Sequence, residues 1–213
     1  MPEGLFTDDQ IEIFKQKWRK AHPNIVRFWE DLKDASNKIA KHAAMIKRGL
    51  DRTIEPIQVR DIWFEYSAGF MLVTLPSGRR ISYPDVDRAR RAQEYFYIQK
   101  PDNSVGRLTA CFMDNSSGRW HRVFLYGGLL CENIVQGVAR DLLADAMVRV
   151  ERAGLPIVGH VHDECLIEVP EKNPDKVAKQ FAELMTQIPE WAKGSGYDLP
   201  LVAKPFVAKR YVK

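Results

Sequence analysis

The sequence predicts an α+β fold with N-terminal helices, central antiparallel strands, and a C-terminal part in which a long helix precedes a charged β-hairpin. Three observations support this. Apolar residues first recur at helical spacing, then form short β-rich runs, and then return to helical spacing after residue 127. We therefore expect segments 1–49, 50–126 and 127–213, packed together as one structural unit.

The N-terminal segment is predicted to form two helices. Thr7 is a candidate N-cap, and Phe14 and Trp18 lie at helical spacing after it. Pro23 interrupts this pattern because a proline inside a helix removes a backbone hydrogen bond. The second helix is expected to end near Gly49, since glycine readily adopts the conformation that ends helices.

The middle segment has the pattern of antiparallel strands. Aromatic and β-branched runs surround two turn signals, Ser67-Ala68-Gly69 and Pro76-Ser77-Gly78. Further strands are predicted at 94–99, 108–113 and 120–126. Their spacing favours a sheet built from neighbouring hairpins.

The C-terminal segment is predicted to begin with a helix from about 127 to 153. A hairpin follows, with apolar arms on both sides of a charged centre at 162–164. Another helix is expected after Asn173-Pro174, and a final strand at 199–207. The charged centre of the hairpin is the most unusual feature of this segment.

Charge and cysteine content limit the function classes. The net charge is only +4, yet basic residues cluster at 15–20, 79–80 and 88–91. Each cluster alone is as well explained by a solvated face, but several together favour a polyanionic partner. Three cysteines without metal-type spacing indicate buried free thiols in a reducing compartment. No signal peptide or membrane-spanning run is evident, so we expect a soluble intracellular protein.

Three polar residues share one face of the predicted long helix. Asn133, Gln136 and Arg140 are spaced i, i+3 and i+7. Two amides and a guanidinium can engage base edges and phosphates. An ordinary solvent-exposed face explains the spacing equally well.

The hairpin tip combines His162, Asp163 and Glu164. Carboxylate oxygens are the ligands that hard divalent cations require, and a turn directs them to one place. Two such cations can hold the attacking and leaving oxygens of a phosphoryl transfer. For a match of only three residues, however, a simple hydrophilic turn is the more frequent explanation.

Longer stretches resemble the family A DNA polymerases (the DNA polymerase I family), in their phage or prophage form. The palm resemblance is carried by YGGLLCENIVQGVARDLLADAM followed by GLPIVGHVHDECLIEVP, which contains the V-H-D-E of motif C. Other segments of this chain resemble other parts of the family. LPSGRRISYP resembles the segment before the palm helix, and FTDDQIEIFKQKWRKAHPNIVRFW resembles the helices at the base of the fingers. LPLVAKPFVAKRYVK resembles the last strand. The order is preserved over nearly the whole chain, which is far more specific than any single motif.

This resemblance implies roles for individual residues. Asp163 would be a catalytic ligand of Mg²⁺, and Glu164 a secondary ligand or orienting group. His162 would contact the primer near its 3′ end, and Gln136 would read the minor groove of the new base pairs. The full set of implied DNA contacts is His162, Gln136, Asn133, Arg140, Tyr126, Arg79 and Arg80.

Two motifs of the family are missing from this sequence. Motif A would supply a second essential aspartate, and motif B a fingers helix that grips the nucleotide. Glu65-Tyr66-Ser67 resembles motif A only superficially, because it directly precedes the LPSGR segment. Leu129 also stands where relatives often carry a lysine. Because Mg²⁺ gives up its water ligands reluctantly, one carboxylate pair is not expected to hold the two Mg²⁺ ions of a complete site.

The resemblance therefore implies the C-terminal portion of a DNA-directed DNA polymerase, inactive without a partner that carries motifs A and B. It implies three interactions, with primer–template DNA, with a second polypeptide, and with Mg²⁺ through a partly supplied site. It also implies the cytoplasm of a bacterial or phage-infected cell. One alternative is a catalytically silent DNA-binding or structural remnant of a prophage polymerase, and another is an unrelated metal-binding α+β domain. A neighbouring gene that encodes motifs A and B would favour the prediction that the chain is a portion of a DNA polymerase that acts with a partner.

Overall fold

The computed structural model describes residues 6–50, 53–88, 110–193 and 199–211. Its helices are α1 (Asp8–Ala21), α2 (Pro23–Ile46), α3 (Gly127–Arg152) and α4 (Pro174–Met185), with a 3₁₀ turn at Glu190–Ala192. Its strands are β1 (Ile57–Val59), β2 (Ile62–Ser67), β3 (Phe70–Thr74), β4 (Arg80–Tyr83), β5 (Asp87–Arg88), β6 (Ala110–Asp114), β7 (His121–Phe124), β8 (Ile157–Val161) and β9 (Glu164–Ile167).

All strand pairs in the described ranges are antiparallel. The sheets have the orders β1-β2-β3-β4, β5-β6-β7 and β8-β9. The predicted α+β class is therefore confirmed. The strand predicted at 94–99 lies outside the described residues. No helix of the described part is long and apolar enough to cross a membrane.

The chain divides into two compact units. Unit 1 comprises Met1–Thr74 and Arg80–Ile134, and unit 2 comprises Leu75–Arg79 and Val135–Lys213. Helix α3 begins in unit 1 and ends in unit 2. The predicted hairpin tip lies in unit 2.

Helices α1 and α2 form where the sequence predicts them. Thr7 caps α1 through a reciprocal pair of hydrogen bonds with Gln10, which satisfies two backbone donors of the first turn. Pro23 occupies the first turn of α2, where its missing N–H costs nothing. The boundary between the two helices at His22 follows from that proline.

The core of unit 1 lies between α2 and its strands. The buried face of α2 repeats at i, i+3, i+4 and i+7, as expected for a helix packed on one side. Opposite it lie fully buried strand residues, among them Phe64, Met71 and Val73. Ala68 and Gly69 join β2 to β3 with positive φ angles of 48° and 90°. This two-residue turn matches the right-handed twist of the strands and fixes their register.

The start of α3 lies against the backbone of α2 within unit 1. A Cβ added at Gly127 would lie 2.8 Å from Trp29 Cα and closer still to the Trp29 carbonyl carbon and oxygen. At the next position, a Cβ on Gly128 would meet only the Tyr126 ring, 3.1 Å from Cε2. Of these two glycines, therefore, only Gly127 lies where a side chain would clash with the backbone of α2.

Unit 2 combines the second half of α3 with the β8–β9 hairpin and α4. Arg149 of α3 donates hydrogen bonds to the carbonyls of Leu184 (3.2 Å), in the last turn of α4, and Gln187 (2.7 Å), just beyond that helix. Glu151 accepts a 2.7 Å bond from the amide of Ile157 at the start of β8. These bonds satisfy backbone groups at element ends, which would otherwise lose hydrogen bonds on burial.

The strand predicted at 199–207 is wrong. The chain from 199 to 208 has no regular secondary structure, and Val202 and Phe206 are each 78% exposed. A strand needs a neighbour for its backbone donors and acceptors. In the described ranges, β8 and β9 pair only with each other, so this segment has no strand beside it. The β-rich composition alone could not reveal that missing neighbour.

Candidate functional site

The charged centre of the hairpin forms a two-residue turn. Val161 pairs with Glu164, so His162 and Asp163 alone connect β8 to β9. His162 has a positive φ of 52°, which costs a non-glycine residue about 1 kcal/mol. All four residues are exposed to solvent. The predicted hairpin is confirmed, and its tip presents Asp163 and Glu164 to solvent on neighbouring positions.

Glu164 has a partner that the sequence did not suggest. The Tyr211 hydroxyl, near the end of the described chain, donates a 3.1 Å hydrogen bond to Glu164 Oε2. This bond with the carboxylate raises the pKa of the Tyr211 phenol. No ion pair involves Asp163 or Glu164 within the part of the chain that the structure describes. Asp163 therefore remains available for an external cation.

The donor type at the hairpin tip suits a hard divalent cation, but the donor number is low. Both groups are carboxylates, which Mg²⁺ prefers. Across residues 6–50, 53–88, 110–193 and 199–211, no three His, Cys, Asp or Glu side chains are close enough to hold a metal together. The described residues thus place two carboxylates at the hairpin tip without a third such group beside them.

The polar face of α3 is exposed only in part. Gln136 and Arg140 are exposed, whereas Asn133 is half-buried and donates a 3.0 Å hydrogen bond to the Tyr83 hydroxyl. Burial raises the pKa of the Tyr83 phenol, and the bond from Asn133 opposes that rise. Asn133 therefore has a structural partner, while Gln136 and Arg140 are free to meet a ligand.

Arg79 and Arg80, both predicted to contact DNA, differ in how firmly other residues of the chain bind their guanidinium groups. Arg79 donates hydrogen bonds to Asp141 and to the Gly137 carbonyl (2.9 Å), so its guanidinium is bound to α3 within unit 2. Arg80 is exposed and lies 3.4 Å from Glu65 in unit 1. Exposed ion pairs of this kind contribute little and exchange partners easily. Arg80 is accordingly the more available of the two.

Tyr126 directly precedes α3 and is 57% exposed. Its carbonyl accepts the amide of Leu130 at 3.1 Å, which closes the first turn of the helix. In unit 2, Arg140 also lines a groove of about 600 Å³ with residues of α3 and β8, including Val148 and Val158.

Sequence reasoning missed several of these contacts. Tyr211 was missed because no local pattern links it to a turn 47 positions away. The pairing of Arg79 with Asp141 was also missed, although a carboxylate on a mostly apolar helix was a visible signal. The stacking of Trp18 on His22 could have been found, since residues four apart are neighbours on a helix.

Comparison with known proteins gives one informative similarity. The chain is 37% identical to the DNA polymerase of Bacillus phage SP02 over 214 aligned positions, which covers 99% of this chain and 28% of that polymerase. No family model and no solved structure matches the chain. The resemblance to a phage DNA polymerase that the motif order indicates is therefore confirmed, and the chain corresponds to a little over a quarter of that relative's length.

Proposed function

We propose that the chain is the palm-side portion of a family A DNA polymerase, with Asp163 as a metal ligand and the exposed face of α3 as a contact for primer–template DNA. The observation that carries this proposal is the exposed two-residue turn bearing Asp163, in a chain similar over 99% of its length to a phage DNA polymerase. A cation such as Mg²⁺ would supply charge stabilisation to the phosphate oxygens during phosphoryl transfer.

The chain's own groups have distinct roles in this proposal. Asp163 would ligate a cation, and Glu164, held by Tyr211, would orient or support it. His162 lies beside both at the turn and would contact the primer end. Gln136 would donate to or accept from minor-groove base edges, where the acceptors are similar for all base pairs. Arg140 would add a phosphate contact from the same helix face.

The incomplete donor set leads to the proposal of a partner. A polypeptide carrying motifs A and B would add a second aspartate to the two carboxylates of the hairpin. It would also add a strand beside a sheet that now has two, and unpaired edges favour such addition. Both gains support a complex rather than an active isolated chain.

The test of this proposal is reconstitution. We expect the purified chain with Mg²⁺ to extend no primer, and the same chain co-expressed with a polypeptide carrying motifs A and B to extend it in a template-directed manner. Co-purification and primer extension measure the two parts separately. Primer extension by the chain alone, or a complex that stays inactive, would contradict the proposal that the two polypeptides together form the active polymerase.

A catalytically silent DNA-binding or structural remnant is the second candidate. It is favoured by the absence, within the described ranges, of any group of three side chains that could hold a metal. It predicts DNA binding without activity under every combination of partners. The reconstitution experiment therefore distinguishes the two candidates directly.

DNA binding by the isolated chain is expected to be weak and strongly salt-dependent. Exposed cations such as Arg80 and Arg140 would contact phosphates, and each contact releases counterions. With two or three such contacts, affinity for a primer–template duplex should fall at least about tenfold between 50 and 200 mM salt. Fluorescence anisotropy across a salt series measures this. An affinity that is flat over the range would exclude phosphate contacts as the source of binding.

A further inference from the structure

The junction of α1 and α2 carries a stack of aromatic rings. Trp18 is nearly parallel to Trp29, with ring centroids 5.5 Å apart and 15° between the planes. It is also stacked on His22, at 4.5 Å and 23°. His22 is exposed, and a 2.8 Å contact between its Nδ1 and the Trp18 carbonyl oxygen fixes the ring. Among the described residues only Trp18 stacks on it, so no ring covers the other face of the exposed imidazole.

Three cations flank Trp18 in the sequence of α1. Lys17, Arg19 and Lys20 are exposed in the last turns of α1. Within the described ranges none of the three forms an ion pair, in contrast to Lys15, which pairs with Glu12. Their charge is therefore available to an external anion.

Packing inside unit 1 covers the apolar face of α1 only in part, through the Trp18–Trp29 stack and an edge contact between Phe6 and Phe14. The helix has no buried residue, and Ile11, Phe14 and Trp18 on one face are 53%, 52% and 42% exposed. A helix with exposed apolar residues normally meets another molecule there. The question is which kind of molecule matches both the rings and the cations.

We propose that this junction binds single-stranded DNA. We call it the ring–cation surface, formed by Trp18, His22, Trp29, Lys17, Arg19 and Lys20. A base stacks on the open face of His22 and continues the row of rings, while the cations contact the phosphates on either side. Proteins that bind unpaired strands usually combine aromatic rings with cations, because every base has a stacking face and every nucleotide has a charge. Arg19 and Lys20 also interact favourably with the C-terminal end of the α1 dipole. A protein partner would match the apolar row alone, whereas a single strand matches both the rings and the cations.

This inference goes beyond the proposed function, because the surface lies in unit 1 and shares no residue with the hairpin or with the polar face of α3. The probe is a fluorescein-labelled twelve-nucleotide oligo-dT, titrated with the full chain and followed by anisotropy. Quenching of tryptophan fluorescence on binding is a second readout, to which all five tryptophans of the chain contribute. Circular dichroism melts verify that each variant is folded.

Paired variants separate stacking from charge. His22→Leu should weaken oligo-dT binding about fivefold or more, whereas His22→Phe, which keeps a planar ring, should bind nearly as well as the parent. The double change Arg19→Gln and Lys20→Gln should reduce the slope of log affinity against log salt by about 1.4. The matched control, Lys38→Gln with Lys41→Gln on exposed positions of α2, should leave that slope nearly unchanged.

Several outcomes would overturn the proposal. Equal losses in the Arg19/Lys20 pair and the Lys38/Lys41 pair would show only general electrostatic attraction. Loss in both His22 variants would show that the imidazole hydrogen bond matters rather than stacking. Absence of oligo-dT binding, together with a doubled mass in sedimentation that His22→Leu restores to the monomer, would assign the surface to a second copy of the chain.

Discussion

Replacing Gly127 by alanine is expected to destabilise the protein by about 3 kcal/mol or more, at the upper end of what overpacking costs. The added Cβ would meet the backbone of Trp29, including its Cα at 2.8 Å. A side chain can rotate away from such a contact, but the backbone of a helix can move only with the helix. The start of α3 would therefore have to separate from α2. Thermal unfolding should show a decrease in Tm of roughly 6–12 °C.

Gly128→Ala is the matched control for this change. The new Cβ would lie 3.1 Å from the edge of the Tyr126 ring, which is exposed and can rotate. Alanine also favours a helix over glycine by about 1 kcal/mol. This variant should therefore be neutral or slightly more stable than the parent. Equal destabilisation by both changes would mean that the contact with Trp29 is not the cause.

In the complex proposed above, Asp163→Asn is expected to reduce nucleotide incorporation about a thousandfold, a loss of roughly 4 kcal/mol of transition-state stabilisation. The amide keeps the shape of the side chain but loses the charge that a divalent cation requires. Binding of primer–template should be unchanged or slightly tighter, because one negative charge near the phosphates is gone. Single-turnover extension and anisotropy measure the two effects separately.

Glu164→Gln provides the comparison within the same turn. Its Oε2 already accepts a bond from Tyr211, and the proposal gives it a supporting role, so we expect a loss of only about tenfold. Asp163→Asn activity within tenfold of the parent would remove the proposed metal ligand. An equal, thousandfold loss in both variants would instead make the two carboxylates equivalent ligands.

The elements that the sequence predicts well are those with strong local signals. The break at Pro23, the turn at Ala68-Gly69 and the two-residue turn at His162-Asp163 each depend on neighbouring residues. The hairpin that bears the candidate ligands could therefore be placed before the structure was known. Its polar tip alone matches an ordinary hydrophilic turn, and only the order of the longer segments around it pointed to a metal ligand.

The features that could not be predicted depend on residues far apart in the sequence. The segment 199–207 has the composition of a strand, but strand formation also requires an available neighbour. Arg79 and Asn133 have residue types suited to DNA, yet each bonds within its own unit, to Asp141 and to Tyr83 respectively. A sequence shows what a side chain can bind, and only the fold shows whether another group has already bound it.

The two-stranded sheet at β8–β9 has a consequence for the dynamics of the hairpin. An isolated pair of strands is marginally stable in water, so its amide protons should exchange with solvent faster than those of the four-stranded sheet of unit 1. Part of any cation's binding energy would be spent on ordering the turn. A polypeptide that adds a strand would order the turn before the cation binds. It would thereby raise the apparent affinity for the cation without contacting the cation.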